Sequence, residues 1–411
     1  MIQQAIRAFQ SGHWPTLVGA WLHFEVSFMV WLLIGVLSIP ISEDFGLTAT
    51  QKGFLVGVPL LGGAILRIFV GPLADQFGAK RLGLGILGLE GLALFSVWQW
   101  GVSLEAMFGI GILLGFAGAS FAIALPLASQ AYPPNFQGLA MGVAAVGNSG
   151  VLITSLVAPR LAQYMDWNQV FGVMLLPVIL TFFIFLLTVQ SDAKTTSLTL
   201  ASIHNRSYFY FINSLKDPFM YWLCFLYAVT FGGFVGFSSY LPIFLHDQYQ
   251  VGMVMAGALT AICAFAGSLA RPIGGYMADR CGGLSLLKSL FTAIALLCFL
   301  LSVFFQVAGL GWVMVAIVLM MGGLGFGNGV IFQVVSSRFS RLMGTASGLI
   351  GAAGGIGGFF LPVWFGWLKD VSGGFSSGFL IFGIILGMAG ISAMIVFRTI
   401  GTALPKPVEE F

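Results

Sequence analysis

Two arginines stand at matching positions in the two halves of the sequence. Arg67 lies eight residues before Asp75, and Arg271 lies eight residues before Asp279. The stretches that end at these aspartates match at a constant offset of 204 positions: GPLAD at 71–75 and GYMAD at 275–279. Arginine stays protonated in proteins and presents a planar fork of N–H donors, which fits an oxyanion. Two such forks facing each other could hold one small flat anion from both sides.

Both arginines are expected near the middle of a membrane, because each lies inside a long apolar segment. Eight residues of helix rise about 12 Å, and the aspartates mark the edge of a hydrocarbon core about 30 Å thick. An arginine at that depth costs at least about 2.5–3.5 kcal/mol on insertion scales. Each arginine therefore requires an anionic ligand or a carboxylate partner, and Glu25 and Glu90 are the candidate partners within the apolar segments.

The composition places these residues in a membrane protein. Hydrophobic residues make up 58% of the 411 residues and charged residues 8%, against about 45–50% and about 25% in soluble proteins. This balance excludes a soluble enzyme, and a net charge of +3 without any basic cluster argues against nucleic acid as a partner. Segments long enough to cross a bilayer, about 20 residues each, number twelve: 14–41, 51–74, 82–100, 103–131, 139–163, 168–190, 218–246, 251–279, 285–306, 311–338, 342–368 and 375–400.

The polar stretch 191–217 separates these segments into six and six. It predicts an N-terminal six-helix bundle over 1–190, a cytoplasmic linker over 191–217 and a C-terminal six-helix bundle over 218–411. With the N-terminus in the cytoplasm, 12 basic residues fall on the cytoplasmic side and 3 on the other, as the positive-inside rule requires. We therefore expect an all-α, multi-pass protein of the cell inner membrane with both termini cytoplasmic. Repeated bundles of this kind hold a substrate near mid-membrane, between the repeats.

Several motifs resemble one transporter family. Residues 71–81 (GPLADQFGAKR) resemble the loop motif between helices two and three of the major facilitator superfamily, with a weaker copy at 275–283. Within that superfamily the chain resembles the nitrate/nitrite porters along essentially its whole length. Residues 142–150 and 351–362 are similar to the first and second nitrate signatures of that family. The resemblance implies the major facilitator fold, with two pseudo-symmetric bundles that carry nitrate, and nitrite with it, by alternating access.

The resemblance also assigns roles to individual residues. Arg67 and Arg271 match the two nitrate-binding arginines of the family, and Tyr227 matches its substrate-contacting tyrosine. Asp75 and Asp279, in the two copies of the loop motif, are expected at the cytoplasmic gate. The other residues expected at the substrate site are Asn148, Phe121, Phe231, Gly118 and Gly147. Nitrate is not protonated at physiological pH, so permanent cations with added donors from tyrosine and asparagine suit it, and aromatic walls strengthen these contacts by lowering the local dielectric.

Glu25 is the candidate for coupling transport to protons. It lies about 11 residues into the first segment, near the midplane, on a helix that lines the cavity in this superfamily. If it titrates, it could couple a proton to nitrate entry; if it is held by an arginine or by hydrogen bonds as a neutral acid, it is structural. The sequence is compatible with proton-coupled nitrate symport and with nitrate/nitrite exchange. Glu90, on the peripheral third segment, is expected to be structural.

Three alternatives share parts of this pattern. A major facilitator for another small anion, such as formate or oxalate, would use the same arginines, and a transporter-like nitrate sensor would bind nitrate without moving it. A membrane-embedded enzyme is disfavoured because no catalytic group is recognisable and the histidines and cysteines lack metal-ligand spacing. We expect no enzyme activity, cofactor or metal, and a monomer in the lipid bilayer. Nitrate assimilation and nitrate respiration are both compatible with the sequence.

Overall fold

A computed structural model describes residues 11–100, 103–133, 136–190, 217–305, 307–339 and 343–400. These residues form helices joined by short turns, and eleven of the helices are long and apolar enough to cross a membrane. The predicted first segment is not among the eleven, because its helix is interrupted at Leu32 and Leu37. Pro40 follows closely and lacks the N–H that would continue the helical hydrogen bonding.

The helices of the first half are labelled α1 to α6, with the pieces of an interrupted helix under one label. They are α1 (Trp14–Trp31, Leu33–Val36 and Ser38–Phe45), α2 (Ala49–Phe77), α3 (Ala79–Trp100), α4 (Leu104–Ala119 and Phe121–Gln130), α5 (Gln137–Ala145, the 3-10 turn Val146–Ser149, and Gly150–Leu161) and α6 (Trp167–Thr188).

The helices of the second half are uninterrupted. They are α7 (Pro218–Tyr249), α8 (Met253–Cys281), α9 (Gly283–Phe304), α10 (Leu310–Arg338), α11 (Met343–Ser372) and α12 (Ser376–Ile400). The predicted linker 191–217 lies outside the described residues except for Asp217, which caps the start of α7 through a hydrogen bond from the Phe219 N–H. The division into two domains therefore stays a prediction.

The repeat seen in the sequence recurs in the backbone where α2 and α8 end. Gly78 terminates α2 with φ 87°, and Gly282, again 204 positions later, terminates α8 with φ 81°. Only glycine adopts such a conformation without steric cost, so both helices stop at a residue suited to the turn. The two copies of the loop motif thus have the same local geometry.

The most extensive contacts between the two halves form along two pairs of helices, α2 with α11 and α5 with α8, and α7 also packs against α1 and α2. Small residues allow the backbones to approach closely at these seams, as is usual between membrane helices. A methyl group on Gly355 of α11 would lie 2.8 Å from the Ala64 side chain of α2, and one on Gly257 of α8 would collide with the Ser155 carbonyl of α5. Helices α6, α9 and α12 instead expose large apolar side chains, such as Leu187 and Leu296, as expected of a lipid-facing surface.

Candidate anion-binding site

Arg67 lies at the contact between the two halves and is 2% exposed. Its Nε donates to the Gly118 carbonyl of α4 at 2.8 Å, and one terminal nitrogen, Nη1, donates to the Gly351 carbonyl of α11 at 2.8 Å. Gly118 belongs to the last turn of the first piece of α4, where carbonyls lack partners within their own helix. The second terminal nitrogen, Nη2, has no hydrogen-bond partner among the described residues. The guanidinium is therefore held by neutral groups, keeps its charge and has one terminal nitrogen free to donate.

Three aromatic rings surround the Arg67 guanidinium. Its central carbon lies 5.0 Å from the ring centre of Trp31, 5.6 Å from that of Phe121 and 5.1 Å from that of Phe231. Each ring face attracts a cation at such distances. The indole of Trp31 is itself fixed, because its N–H donates to the Pro59 carbonyl at 2.7 Å. The rings come from α1, α4 and α7, so both halves of the molecule build this enclosure.

Arg271 occupies the corresponding place on α8 and is 7% exposed. Its Nη2 donates to the Tyr227 hydroxyl at 3.5 Å, and its Nη1 has no partner among the described residues. The guanidinium carbon lies 5.9 Å from the centre of the Phe121 ring, which Arg67 also contacts, and 5.5 Å from that of Phe332. The two arginines, one from each half, therefore contact the same Phe121 ring.

The two intramembrane carboxylates contact hydroxyl groups and not the arginines. Glu25 is 4% exposed and accepts hydrogen bonds from Ser149 of α5 at 2.9 and 3.1 Å, while Glu90 accepts one from Ser27 at 2.7 Å. Within the described residues no ion pair involves Arg67 or Arg271. The alternative in which carboxylates neutralise the arginines is therefore wrong for this part of the chain.

Tyr227 and Phe231, both predicted at the substrate site, lie against each other. Their rings stack at 5.0 Å with an angle of 5° between the planes, and the edge of Phe332 meets Tyr227 at 5.2 Å. Gly118 also lies at the site: its carbonyl binds Arg67, and a side chain on it would collide with the Trp31 ring. Glycine is required there because the indole covers the helix backbone.

The predicted residues of α5 lie apart from these contacts. Gly147 packs against α1, where an added methyl group would lie 2.8 Å from the Phe24 ring. Asn148 is buried in the 3-10 turn, and its amide nitrogen, in the orientation that its neighbours satisfy, donates to the carbonyls of Ala145 at 2.9 Å and Val146 at 3.3 Å. Among the described residues, Asn148 has no hydrogen bond to either arginine. Its two N–H groups serve its own helix.

The two aspartates of the loop motifs give no contact to interpret. The side chain of Asp75 lies outside the described residues, although its backbone belongs to α2. Asp279 is exposed near the end of α8, and it forms no ion pair within the part of the chain that the structure describes.

Sequence reasoning missed Trp31, Phe332 and Asn328. Asn328 of α10 is 1% exposed, and neither its amide oxygen nor its nitrogen has a partner among the described residues. It lies one helical turn before Phe332 and therefore on the same face of α10. The neighbouring Gly329 packs against the Arg271 backbone, which puts Asn328 at the depth of that arginine. An asparagine in the middle of an apolar segment was the available signal.

The arrangement suits an anion better than a metal or a catalytic reaction. Two buried arginines, each with a terminal nitrogen that lacks a partner among the described residues, contact the same Phe121 ring, and burial among aromatic rings strengthens charge contacts. Among the described residues, no group of three or more His, Cys, Asp or Glu side chains could hold a metal ion.

Comparisons with known proteins identify the family of the chain. Residues 20–362 match the Major Facilitator Superfamily. The "Probable nitrate/nitrite transporter NarK2" of Mycobacterium tuberculosis is 31% identical over 84% of this chain and 86% of its own, and the "Nitrite extrusion protein" of Bacillus subtilis is 31% identical over 87% and 88%. The "Probable nitrate/nitrite antiporter NarK1" of Thermus thermophilus is 28% identical over 86% of this chain and 84% of its own.

The fold also resembles solved structures. One is the xylose transporter XylE from E. coli in a partially occluded inward-open conformation. It superposes with a TM-score of 0.75 at 15% sequence identity, and the match covers 98% of this chain and 100% of the XylE chain. The crystal structure of a D-xylose-proton symporter superposes with a TM-score of 0.73 at 16% identity, over 92% of this chain and 97% of its own. These findings confirm three predictions: the fold class, a multi-pass membrane protein, and membership of a transporter family and not of an enzyme family. The chain belongs to the Major Facilitator Superfamily and, within it, to the nitrate/nitrite porter family.

Proposed function

We propose that the protein transports nitrate, and nitrite with it, across the cell inner membrane by alternating access. The observation that carries the proposal is the pair Arg67 and Arg271, one from each half, each with a buried N–H that lacks a partner. Burying two cations without an anion is costly, so an empty site resists closure and a bound anion relieves that cost. Arg67 and Arg271 belong to different halves, so an anion that contacts both arginines links the two halves.

The shape of the enclosure supports a small flat oxyanion. The Tyr227 and Phe231 rings are stacked and nearly parallel, and Phe121 lies against both guanidinium groups. A planar three-oxygen ion can accept from both forks while its faces meet aromatic walls. Formate and oxalate could bind the same cations, but the relatives are named for nitrate and nitrite.

We propose that Asn328 is a third polar residue that binds the anion, beside the two arginines. A buried amide without partners costs about 1–3 kcal/mol, and its place on the face of Phe332, beside Arg271, would allow an anion to satisfy its N–H groups. Asn148, which the resemblance assigned to this role, uses its nitrogen within its own helix. Asn328 thus supplies the amide donor that the site otherwise lacks.

Glu25 supports proton coupling in the same proposal. It is buried, and the hydrogen bonds it receives come from one serine, Ser149, across the seam between α1 and α5. No arginine holds it, so gain and loss of a proton could accompany movement of α5 against α1. Exchange of nitrate for nitrite is the second coupling mode, which the antiporter name of the Thermus thermophilus relative favours.

Proteoliposomes containing the purified protein test the proposal. We expect saturable uptake of isotopically labelled nitrate that unlabelled nitrite inhibits and that formate and oxalate inhibit much less. Symport requires uptake to rise with an inward proton gradient; exchange requires internal nitrite and ignores the gradient. Binding without any flux would identify a sensor, and preferred transport of a carboxylate would replace nitrate as the substrate.

The remaining assignments belong to the same proposal. Bundles over 1–190 and 218–411 move against each other, with both termini in the cytoplasm as the distribution of basic residues favours. A monomer suffices, because the contacts of the site come from helices of one chain: α1, α2, α4, α7, α8, α10 and α11. A reporter fused to the C-terminus that is active only in the cytoplasm checks the orientation.

A further inference from the structure

A groove with a volume of about 620 Å³ lies between α9 and α12, on the lipid-facing side of the second half. It is remote from the arginine site, because its walls are the outer faces of two peripheral helices. Lys288, near the start of α9, and Arg398, near the end of α12, line one end of it. Both helix ends lie on the side that the positive-inside rule places in the cytoplasm.

The two cations at the groove have no anionic partner in the described structure. None of the ion pairs among the described residues includes Lys288 or Arg398. The Lys288 ammonium lies 4.4 Å from the centre of the Phe397 ring of α12, which directs it across the groove toward the helix that carries Arg398. Two helices therefore bring positive charge to one place.

The groove changes character along its length. Ser289 lies beside the cations with a hydroxyl that makes no hydrogen bond within the described residues, whereas the Thr292 hydroxyl donates to the Lys288 carbonyl. Leu296, two helical turns beyond Lys288, and Met394, one turn before Arg398, continue the walls and are 58% and 40% exposed. The eight residues from Lys288 to Leu296 rise about 12 Å. Cations, a hydroxyl and then apolar walls follow one another from the membrane surface inward.

We propose that this groove binds an anionic phospholipid. Its phosphate would lie between Lys288 and Arg398, Ser289 would donate to a phosphate or ester oxygen, and one acyl chain would run along Leu296 and Met394. Basic pockets between membrane helices on the cytoplasmic side suit acidic headgroups. A free phosphate would contact the cations but would gain nothing from the apolar walls. Basic side chains at helix ends also reach the membrane surface on their own, but that role would not require a groove between the two helices.

Arg280 provides the matched control. It lies at the end of α8 on the same side of the membrane and is stacked on the Tyr276 ring at 4.4 Å, much as Lys288 is on Phe397. It does not line the groove. The double variant Lys288→Gln/Arg398→Gln loses both cations of the groove. The control variant Arg280→Gln loses one cation that also lies against an aromatic ring but is outside the groove.

Native mass spectrometry of the delipidated full-length protein tests the proposal, with phosphatidylglycerol and phosphatidylcholine of identical acyl chains as probes. Each basic residue near an anionic surface contributes roughly fivefold to affinity, so the double variant should bind phosphatidylglycerol roughly 25-fold more weakly. Arg280→Gln should bind it like wild type, and phosphatidylcholine binding should be the same in all three proteins. A thermal unfolding transition like that of wild type shows that the double variant is folded; the single variants replace it if it is not.

Two further measurements distinguish the sources of the phosphate group. Leu296→Ser should weaken phosphatidylglycerol binding while leaving the cations in place, and millimolar inorganic phosphate should not displace the lipid. Equal phosphatidylglycerol affinity in wild type and the double variant would overturn the proposal, as would displacement by inorganic phosphate together with no effect of Leu296→Ser. Neither result depends on the substrate that the protein transports.

Discussion

Arg67 is positioned by carbonyl groups, and this choice of partner matters for its role. A carboxylate would cancel its charge, whereas the Gly118 and Gly351 carbonyls fix the guanidinium and leave the charge for a ligand. The two carbonyls belong to different halves, on α4 and α11, so the position of Arg67 depends on how the halves are docked. The same residue can therefore both bind the anion and respond to the conformational state.

Arg67→Lys and Arg271→Lys should each cripple nitrate binding. Lysine keeps the charge but loses the planar fork, and a hydrogen bond to a charged group contributes about 1.5–3 kcal/mol. We expect a loss of affinity of roughly 10-fold to 150-fold, measured by isothermal titration calorimetry on purified protein. Arg338→Lys is the control, because Arg338 pairs with Asp217 at 3.6 Å away from the site. Near-normal affinity in both site variants contradicts the assignment.

Asn328→Leu should raise stability while weakening nitrate binding. Leucine has a similar volume and removes a buried amide that lacks partners, which relieves a cost of about 1–3 kcal/mol. Nitrate, in contrast, loses a donor. Thermal unfolding without nitrate and calorimetry with nitrate give the two readouts. Asn148→Leu is the comparison, since it breaks the hydrogen bonds to Ala145 and Val146 and should lower stability. A fall in both stability and affinity for Asn328→Leu would mean that the amide is structural.

The sequence predicted part of this site and could not predict the rest. The arginines were found because a repeated motif carries them, and Tyr227 and Phe231 because they match the family. Trp31 and Phe332 were missed because 40 phenylalanines and 10 tryptophans in an apolar chain give no local sign of which ones meet a cation. The sequence did not reveal the hydrogen bonds of the Asn148 amide within its own helix, because they depend on the 3-10 turn that interrupts α5.

At the scale of the helix, α11 determines how the halves meet and how the second half holds together. Gly355 faces Ala64 of α2 in the other half, while Gly357 packs against the Ala228 carbonyl of α7 in its own half. Alternating access requires the α2–α11 seam to change while the α7–α11 seam persists. The apolar segments were predictable from composition, but these seams and the breaks in α1, α4 and α5 depend on neighbouring helices that a single segment does not reveal.

Gly355→Ala and Gly357→Ala should therefore have different effects. An added methyl group in a packed seam costs about 1–3 kcal/mol. At Gly357 this cost falls on the half itself, so the thermal unfolding temperature should drop. At Gly355 it falls on the docked arrangement of the halves alone, so the balance between the two access states should shift by about 5–150-fold, with slower transport. Cysteine accessibility and proteoliposome uptake measure this shift; identical behaviour of the two variants would contradict the distinction between the seams.

At the scale of the whole molecule, a charged cluster joins the halves at the end opposite the loop motifs. Asp247 of α7 contacts Lys52 of α2 at 3.2 Å and also pairs with Lys369 of α11. Asp370 accepts from the backbone N–H groups of Ala49 at 3.2 Å and Thr50 at 2.7 Å, so a carboxylate of one half caps the helix start of the other. In the proposed orientation this cluster closes the periplasmic side.

Asp247→Asn should open that side more often. The substitution removes the carboxylate that holds two lysines together, and their mutual repulsion then favours separation of the halves. Because the three side chains are only partly buried, we expect a shift of about 1–2 kcal/mol, which corresponds to roughly 5- to 30-fold. A cysteine at the buried Ser239, whose backbone packs against Gly35 of α1, reports the change through its labelling rate with a membrane-impermeant maleimide.

The labelling experiment requires a protein whose four native cysteines are replaced by serine, because Cys281 is exposed. In that background Asp247→Asn should accelerate labelling of Ser239→Cys, and Asp247→Glu should restore the slow rate. High salt should accelerate labelling of the parent protein, because it screens partly exposed ion pairs. Asp279→Asn, at the opposite end, should not accelerate labelling, because it leaves the Asp247 cluster intact. If Ser239→Cys is labelled no faster in the Asp247→Asn variant than in its parent, then packing of the apolar seams alone closes the periplasmic side, and the charged cluster does not contribute to closure.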